Sequence, residues 1–352
     1  MGNPKVAVVM AAYNAGRFFA PAVESILGQT MADFEFIIVD DCSTDGTREA
    51  AQSRARKDPR MKVVTNEQNL GVSTALNRGI AEARSEWIAR MDADDISHPR
   101  RLERQLALAQ SRPDAGFITT LLESIDTSGR RVAKAKHGLR IQPELLPWFL
   151  LFYNRIAGGG QVMFRRDTIL AAGGYDITNR PSQDRDLWPR LLRCGPCVVL
   201  PQVLYQWRSS PGSITNSLRF RYADESLKVD QREIAASCGA ELPLEEVTAL
   251  RDFWTRFHCQ GQDWDAVQRR LLSLATRYRP PRPVKNLRTQ LRSSISFGWL
   301  ANTIRASRLR DVTLFCGHLR RAREAAGARF PLVWMRFVRE LAAVGGNADR
   351  LT

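Results

Sequence analysis

VAVVMAAYN (residues 6–14), FEFIIVDD (34–41) and WIARMDADD (87–95) decide how this chain folds. Each is an apolar run that stops abruptly at polar or acidic residues. A continuous rather than alternating apolar run marks a strand buried on both faces. Working outward, strands at Val6–Ala12, Phe34–Val39, Met61–Thr65 and Trp87–Met91 alternate with helix-like segments at Gly16–Gly28, Thr44–Lys57 and Val72–Arg84. Asp45-Gly46 and Asn69-Leu70-Gly71 punctuate the turns, and Ser97 followed by Pro99 opens a further helix through Gln110. This alternation predicts an α/β fold, a mostly parallel sheet with helices on both faces.

In open sheets of this kind the ligand lies beyond the carboxyl ends of the strands. Tyr13-Asn14, Asp40-Asp41 and Asp92-Ala93-Asp94-Asp95 each follow a strand immediately, so three polar clusters converge on one edge. Asp92, Asp94 and Asp95 would repel one another unless a cation sits among them. Hard divalent cations take oxygen ligands, commonly one or two carboxylates together with substrate phosphates. A zinc site does not fit, since only His98 lies nearby. The sequence has neither a GxxxxGK[ST] loop nor a dinucleotide-binding glycine fingerprint. A nucleoside diphosphate bound through a carboxylate-held metal remains.

Composition agrees with a globular protein: 352 residues, 44% hydrophobic and 25% charged. The longest apolar stretch, Leu145–Tyr153, is about half the length of a membrane-spanning helix. Lys5 alone before Val6–Ala12 does not make a signal peptide, so a cytoplasmic location is expected. Six scattered cysteines do not suggest a disulfide framework. Cys194-Gly-Pro-Cys197 follows a helix-like run and precedes a strand-like one, the reverse of a redox dithiol's setting. The net charge of +15 is concentrated in residues 269–352, where 18 basic residues face four acidic ones.

The segments VAVVMAAYNAGRFFAPAVESILGQTMADFEFIIVDDCSTDGT and NLGVSTALNRGIAEARSEWIARMDADDISHPRRLERQ resemble family 2 glycosyltransferases of a bacterial polysaccharide-assembly branch. A third block, Gly173-Gly174-Tyr175-Asp176 followed by Gln183-Asp184-Arg185-Asp186-Leu187-Trp188, is similar to that family's acceptor-side region. The resemblance spans residues 5–217 and implies the GT-A nucleotide-sugar fold and an inverting transfer from a nucleoside-diphosphate sugar, chiefly a UDP-sugar. It places Ala11 and Tyr13 beside the base and Asp41 on the uracil ring. It gives Asp92 the ribose or the metal, and Asp94 the divalent metal (Mn or Mg) that bridges the phosphates. Asp184 stands where the family has its general base, and Trp188 beside the acceptor groove. Asn14, Gln161 and Arg208 complete the expected substrate contacts.

Three positions depart from the family pattern. Gln183 replaces an acid before the base, which should lower the Asp184 pKa relative to the family. Gly159-Gly160-Gln161 stand where His-Pro-Thr is usual, and Ser210 where a histidine closes the family's last motif. A catalytic domain is expected over residues 1–220 and a basic α-helical region over 221–352. In the latter, Phe330, Val333, Trp334, Phe337, Val338 and Leu341 recur at helical spacing among arginines. The expected acceptor is a saccharide, lipid-linked, with the tail either packed on the core or lying on the anionic inner face of the cell membrane. The competing readings are a nucleotide-sugar-binding protein with weak or no turnover, and a nucleic-acid binder driven by the basic tail, although no specific nucleic acid is expected.

Overall fold

The computed structural model describes residues 4–136, 143–156, 158–178, 182–209, 219–255, 263–308 and 312–343. The chain divides into two compact units: Met1–Leu139 with Ile156–Ser226, and Arg140–Arg155 with Leu227–Thr352.

The first unit is built on one sheet. Strands β1 (Val6–Ala12), β2 (Phe34–Asp40), β3 (Met61–Thr65) and β4 (Trp87–Asp92) lie parallel in the order β3-β2-β1-β4. Helices α1 (Phe19–Leu27), α2 (Thr47–Ala55) and α3 (Val72–Glu82) connect them. Val6, Val8 and Met10 point into a core with Phe19, Val23 and Ile26 of α1, while Val9 and Val39 meet Gly79 of α3. Because side chains alternate along a strand, these contacts put helices on both faces, as the doubly apolar runs predict.

Beyond β4 short antiparallel pairings are added to the mostly parallel framework expected from sequence, and the sheet as a whole is mixed. The elements that follow are β5 (Ile96–Ser97), α4 (Arg101–Ser111), β6 (Phe117–Ile125), β7 (Arg131–Lys136), α5 (Leu146–Phe149, in the second unit), β8 (Met163–Arg165), α6 (Arg166–Ala171), α7 (Gln183–Cys194) and β9 (Cys197–Arg208). Short β8 runs antiparallel to both β4 and β6, β9 is parallel to β6, and β5 and β7 pair antiparallel at the margins. Cys194 closes helix α7 and Cys197 begins β9, and both thiols are free, so the CGPC stretch has no helix N-terminus to activate it.

The second unit is helical, with helices at Leu244–Thr255, Trp264–Arg277, Leu287–Arg308, Val312–Ala326 and Phe330–Ala343. Its core is dense in aromatics: Trp148, Phe152, Phe253, Trp254 and Trp299. Asp263 caps its helix by accepting from the amides of Asp265 and Ala266. Val333 and Phe337 of the last helix turn inward, whereas Leu332, Trp334, Met335 and Val338 are exposed. The helical stripe read from sequence is therefore split, part core and part surface. Among the described residues no helix is long and apolar enough to cross a membrane.

Candidate active site

The register aligns the carboxyl ends of the parallel strands: Ala12 pairs with Asp40, and Ala11 with Asp92. All three polar loops, two of them acidic, consequently open at one edge. The loops leave their strands through left-handed residues that are not glycine, Asn14 (φ 47°) and Cys42 (φ 67°). Such strain is retained where the surrounding structure over-determines a functional turn. Asn14 accepts from the Thr44 amide (2.8 Å), and its own amide donates to Ser43 Oγ (3.1 Å), so its side chain joins two loops. Tyr13 projects from the same turn and is half-exposed, available to stack on a base.

The Asp92–Asp95 loop carries three carboxylates in three different environments. Asp92 Oδ1 accepts from Arg90 Nη2 at 2.8 Å, and its amide donates to Tyr205 Oη at 3.2 Å. Asp95 is buried and accepts the Arg208 amide at 2.7 Å; burial, then Asp94 and Asp92, push its carboxyl well above the ordinary range. Among the described residues no guanidinium is ion-paired with the Asp94 carboxylate, although Arg208 and Arg90 are near enough to oppose the rise of its pKa. Burial first, then Asp92, pushes its carboxyl up to about 6. A mostly buried carboxylate without a paired cation, beside a second carboxylate, is an oxygen donor set that suits a hard divalent ion. Among the described residues no three His, Cys, Asp or Glu side chains converge to form a complete metal cage. The protein therefore offers Asp94, with Asp92 beside it, and further ligands would come from substrate phosphate and water.

Asp184 lies in the first turn of α7, 94 positions from Arg90, and is ion-paired with Arg90 Nη1. Burial raises its carboxyl, Arg90 opposes that rise and Asp92 adds to it. The acidic neighbour missing at Gln183 thus has a counterpart across the site. Arg90 itself is buried; burial disfavours its charge, but Asp184 and Asp92 outweigh that effect and keep it cationic. The Tyr175 ring lies 5.7 Å from its guanidinium.

Several expected contacts are placed elsewhere. Asp41 is buried, and its oxygens accept from Asn66 Nδ2 (2.7 Å), Leu70 N (3.0 Å) and Gly71 N (2.7 Å), so it pins the loop into α3. Trp188 is fully buried and stacks on Phe117, ring centroids 6.0 Å apart, so it packs into the core. Gln161 is buried as well; its side chain donates to the Ile156 carbonyl, and its own carbonyl accepts from Gln105 (3.0 Å). Arg208 spends its guanidinium on the carbonyls of Asp94 (2.7 Å) and Asp126 (2.9 Å), which shapes the acidic loop from beneath. Ala11 keeps its place at the strand edge. Ser210 lies outside the described residues. Arg90, Tyr175 and Tyr205 were not foreseen. An arginine inside an apolar strand needs a buried partner, and that requirement was the available signal.

Parallel strands that end in a carboxylate-lined edge, with Arg90 bridging two of the carboxylates, give that edge the chemistry to receive a phosphorylated ligand and a proton. The model of the family "Glycosyl transferase family 2" matches residues 7–170. EpsE of Bacillus subtilis (strain 168), named as a glycosyltransferase, is 35% identical over 196 residues, 55% of this chain and 68% of that protein. The succinoglycan biosynthesis protein ExoO of Rhizobium meliloti (strain 1021) is 32% identical over 236 residues, 65% of this chain and 67% of that one. This chain belongs to glycosyltransferase family 2. Its fold is GT-A-like. S. aureus TarS 1-349 in complex with UDP-GlcNAc aligns with TM-score 0.57 at 16% identity, covering 92% of this chain and 93% of that one. The mannosyltransferase PcManGT from Pyrobaculum calidifontis, in complex with GDP-Man and Mn2+, aligns with TM-score 0.54 at 16% identity, covering 93% and 88%.

Proposed function

We propose that this glycosyltransferase moves a sugar from a UDP-sugar to a lipid-linked saccharide, with inversion, in cell-surface polysaccharide assembly. One observation supports the reading: Arg90 bridges Asp92, at the start of the loop that carries Asp94, and Asp184 of α7, so the acidic loop and the candidate base meet at one sheet edge. ExoO's part in succinoglycan biosynthesis and the UDP-GlcNAc in the TarS structure favour polysaccharide and UDP over other products and donors.

In this reading Tyr13 and the loop after β1 receive the base, and Asp92 the ribose. Asp94 would hold a divalent cation, Mn2+ or Mg2+, which when bound offsets the charge of the departing diphosphate. The acceptor oxygen bonds to the anomeric carbon as the bond from that carbon to the diphosphate oxygen breaks, and UDP leaves with the electron pair. Asp184 takes the acceptor's hydroxyl proton on Oδ2, since Oδ1 is engaged by Arg90. Its raised pKa makes it a stronger base than an ordinary carboxylate.

A lipid-linked acceptor fits a peripheral position at the inner membrane face. The exposed Leu332, Trp334, Met335 and Val338, set among Arg329, Arg336 and Arg339, support contact with anionic lipid. A panel of UDP- and GDP-sugars, with Mn2+ and then with EDTA, tests the function by nucleotide release and calorimetric binding. Release from a UDP-sugar that EDTA abolishes is the expected result. A chain that binds and cleaves none of them is not a transferase of this kind.

A further inference from the structure

We propose that Arg90 is a positioning residue, a guanidinium clamp that fixes the base Asp184 against the donor-side carboxylate Asp92, and that Gly159-Gly160 is the backbone bed made for it. The proposal rests on the transferase reading above and assigns a part of its machinery that no motif indicates.

Arg90 sits on the central strand β4 and is 4% exposed. A buried guanidinium without partners is strongly destabilising, so its neighbours are obligatory rather than incidental. One arm, Nη2, reaches Asp92 two residues along its own strand at 2.8 Å; the other, Nη1, reaches Asp184 on α7. Its backbone is pinned on both sides. The Arg90 amide donates to the Val162 carbonyl at 3.0 Å, and Arg101 Nη2 donates to the Arg90 carbonyl at 2.8 Å.

The glycine pair presses against the same three groups and against Tyr205. A Cβ on Gly159 would lie 1.6 Å from Arg90 Nη1 and 2.8 Å from Asp184 Oδ1. A Cβ on Gly160 would lie 1.9 Å from Tyr205 Oη and 2.8 Å from Asp92 Oδ2. The Gly159 amide lies near enough to the Asp184 carboxylate to favour its ionised form. No side chain fits at either position without moving the clamp. Here the departure from His-Pro-Thr gains a physical meaning, because this chain trades side chains for a guanidinium held hard against the backbone.

The chemistry suits the task. A guanidinium stays charged and presents a rigid fork, so it can hold two carboxylates at a fixed separation without donating its proton to either. Without it Asp92 and Asp184 would repel, and the base would swing away from the donor. Misplacement of a reacting group by about 1 Å costs on the order of a hundredfold in rate.

Arg90→Ala, Arg90→Lys and Gly159→Ala are compared with wild type using the UDP-sugar that gives wild type its fastest UDP release. Readouts are kcat, donor KM, the calorimetric Kd of UDP with Mn2+, and Tm. The clamp predicts that Arg90→Ala lowers kcat about a hundredfold while donor KM and the UDP Kd stay within about threefold. Added guanidinium ion should restore part of that kcat in Arg90→Ala and none in Arg90→Lys. Gly159→Ala, which leaves every charge in place, should lower kcat in the same way, and it decides the matter if Arg90→Ala does not fold. An unchanged kcat overturns the proposal. So does a joint loss of kcat, UDP affinity and Tm that guanidinium does not repair, which would mark a purely structural ion pair. A wild type inert toward every nucleotide sugar would instead fail the transferase reading, and the clamp would fall with it.

Discussion

Asp94→Asn separates the electrostatics of the acidic loop from its ligand chemistry. Burial and the neighbouring Asp92 move the Asp94 carboxyl from 3.8 to about 6. That displacement corresponds to about 3 kcal/mol against the ionised form in the fold, and solvent screening of the partly exposed side chain reduces the expectation to about 1–2 kcal/mol. The sign follows from which state holds the proton. Well above 6 the folded state carries a charge that its surroundings disfavour, while the unfolded chain carries it freely, so the wild type is weakened. As pH falls through 6 the folded state takes up the proton, and below the unfolded value of 3.8 both states are protonated and the penalty is gone. Asparagine removes the charge without removing the shape. Urea unfolding without metal should therefore show Asp94→Asn more stable than wild type by about 1–2 kcal/mol near pH 7.5, with the gap closing toward about pH 4. Relief of the like-charge push on buried Asp95 works in the same direction. Calorimetry on the same variant should find Mn2+-dependent UDP binding lost, because a neutral amide is a poor ligand for a hard cation. A variant that is less stable near neutral pH, or that binds UDP and Mn2+ as wild type does, refutes the reasoning.

Asp184→Asn should keep Mn2+-dependent UDP affinity and lower turnover about a hundredfold or more, as loss of a general base does; near-normal turnover would move the proton to another group. Trp188→Ala should lower stability by about 3–5 kcal/mol, as truncation of a buried tryptophan does, while acceptor KM in surviving protein stays put. A raised acceptor KM at unchanged Tm would return Trp188 to the acceptor groove. Leu332→Asp with Met335→Asp should release the chain from anionic liposomes in a sedimentation assay without changing Tm, since both side chains are exposed. Truncation after Pro283 should unfold the helical unit, because Leu291, Ile295, Trp299, Ala322 and Phe337 belong to its core; a soluble fragment with an intact cooperative transition would contradict that.

The first half of the sheet was legible because strands buried on both faces announce themselves as unbroken apolar runs, and their loops as sudden acids. The second half was not. β8 is three residues long and pairs with β4 and β6 from far along the chain. No local pattern encodes such a partner, so the sheet reads as parallel until its topology is seen. The site divides along the same line. Asp92, Asp94 and Asp184 sit in motifs whose spelling carries their chemistry, whereas Arg90 is a single cation in an apolar strand whose partner lies 94 positions away. Motif spelling also does not give orientation. Trp188 follows Asp184 by one helical turn and shares its face, so a common groove is the natural expectation. In the fold that face runs from the open edge into the core, and only the first of the two reaches it.

The cations of the site explain why Asp94 stands apart. Arg208 is committed to the carbonyls of Asp94 and Asp126, Arg101 to the carbonyl of Arg90, and Arg90 to Asp92 and Asp184. Each of these three charges thus fixes backbone or bridges a pair, and among the described residues none is ion-paired with the Asp94 carboxylate. Had Arg208 turned its guanidinium to that carboxylate instead of the carbonyl, the loop would be electrostatically satisfied, and a divalent ion would have to break an ion pair to bind. As built, the fold tolerates an unfavourable buried charge, and the proposed binding of a cation would relieve it. The instability expected of Asp94 near neutral pH and its affinity for metal are therefore one quantity seen from two sides, so a substitution that cures the first should abolish the second.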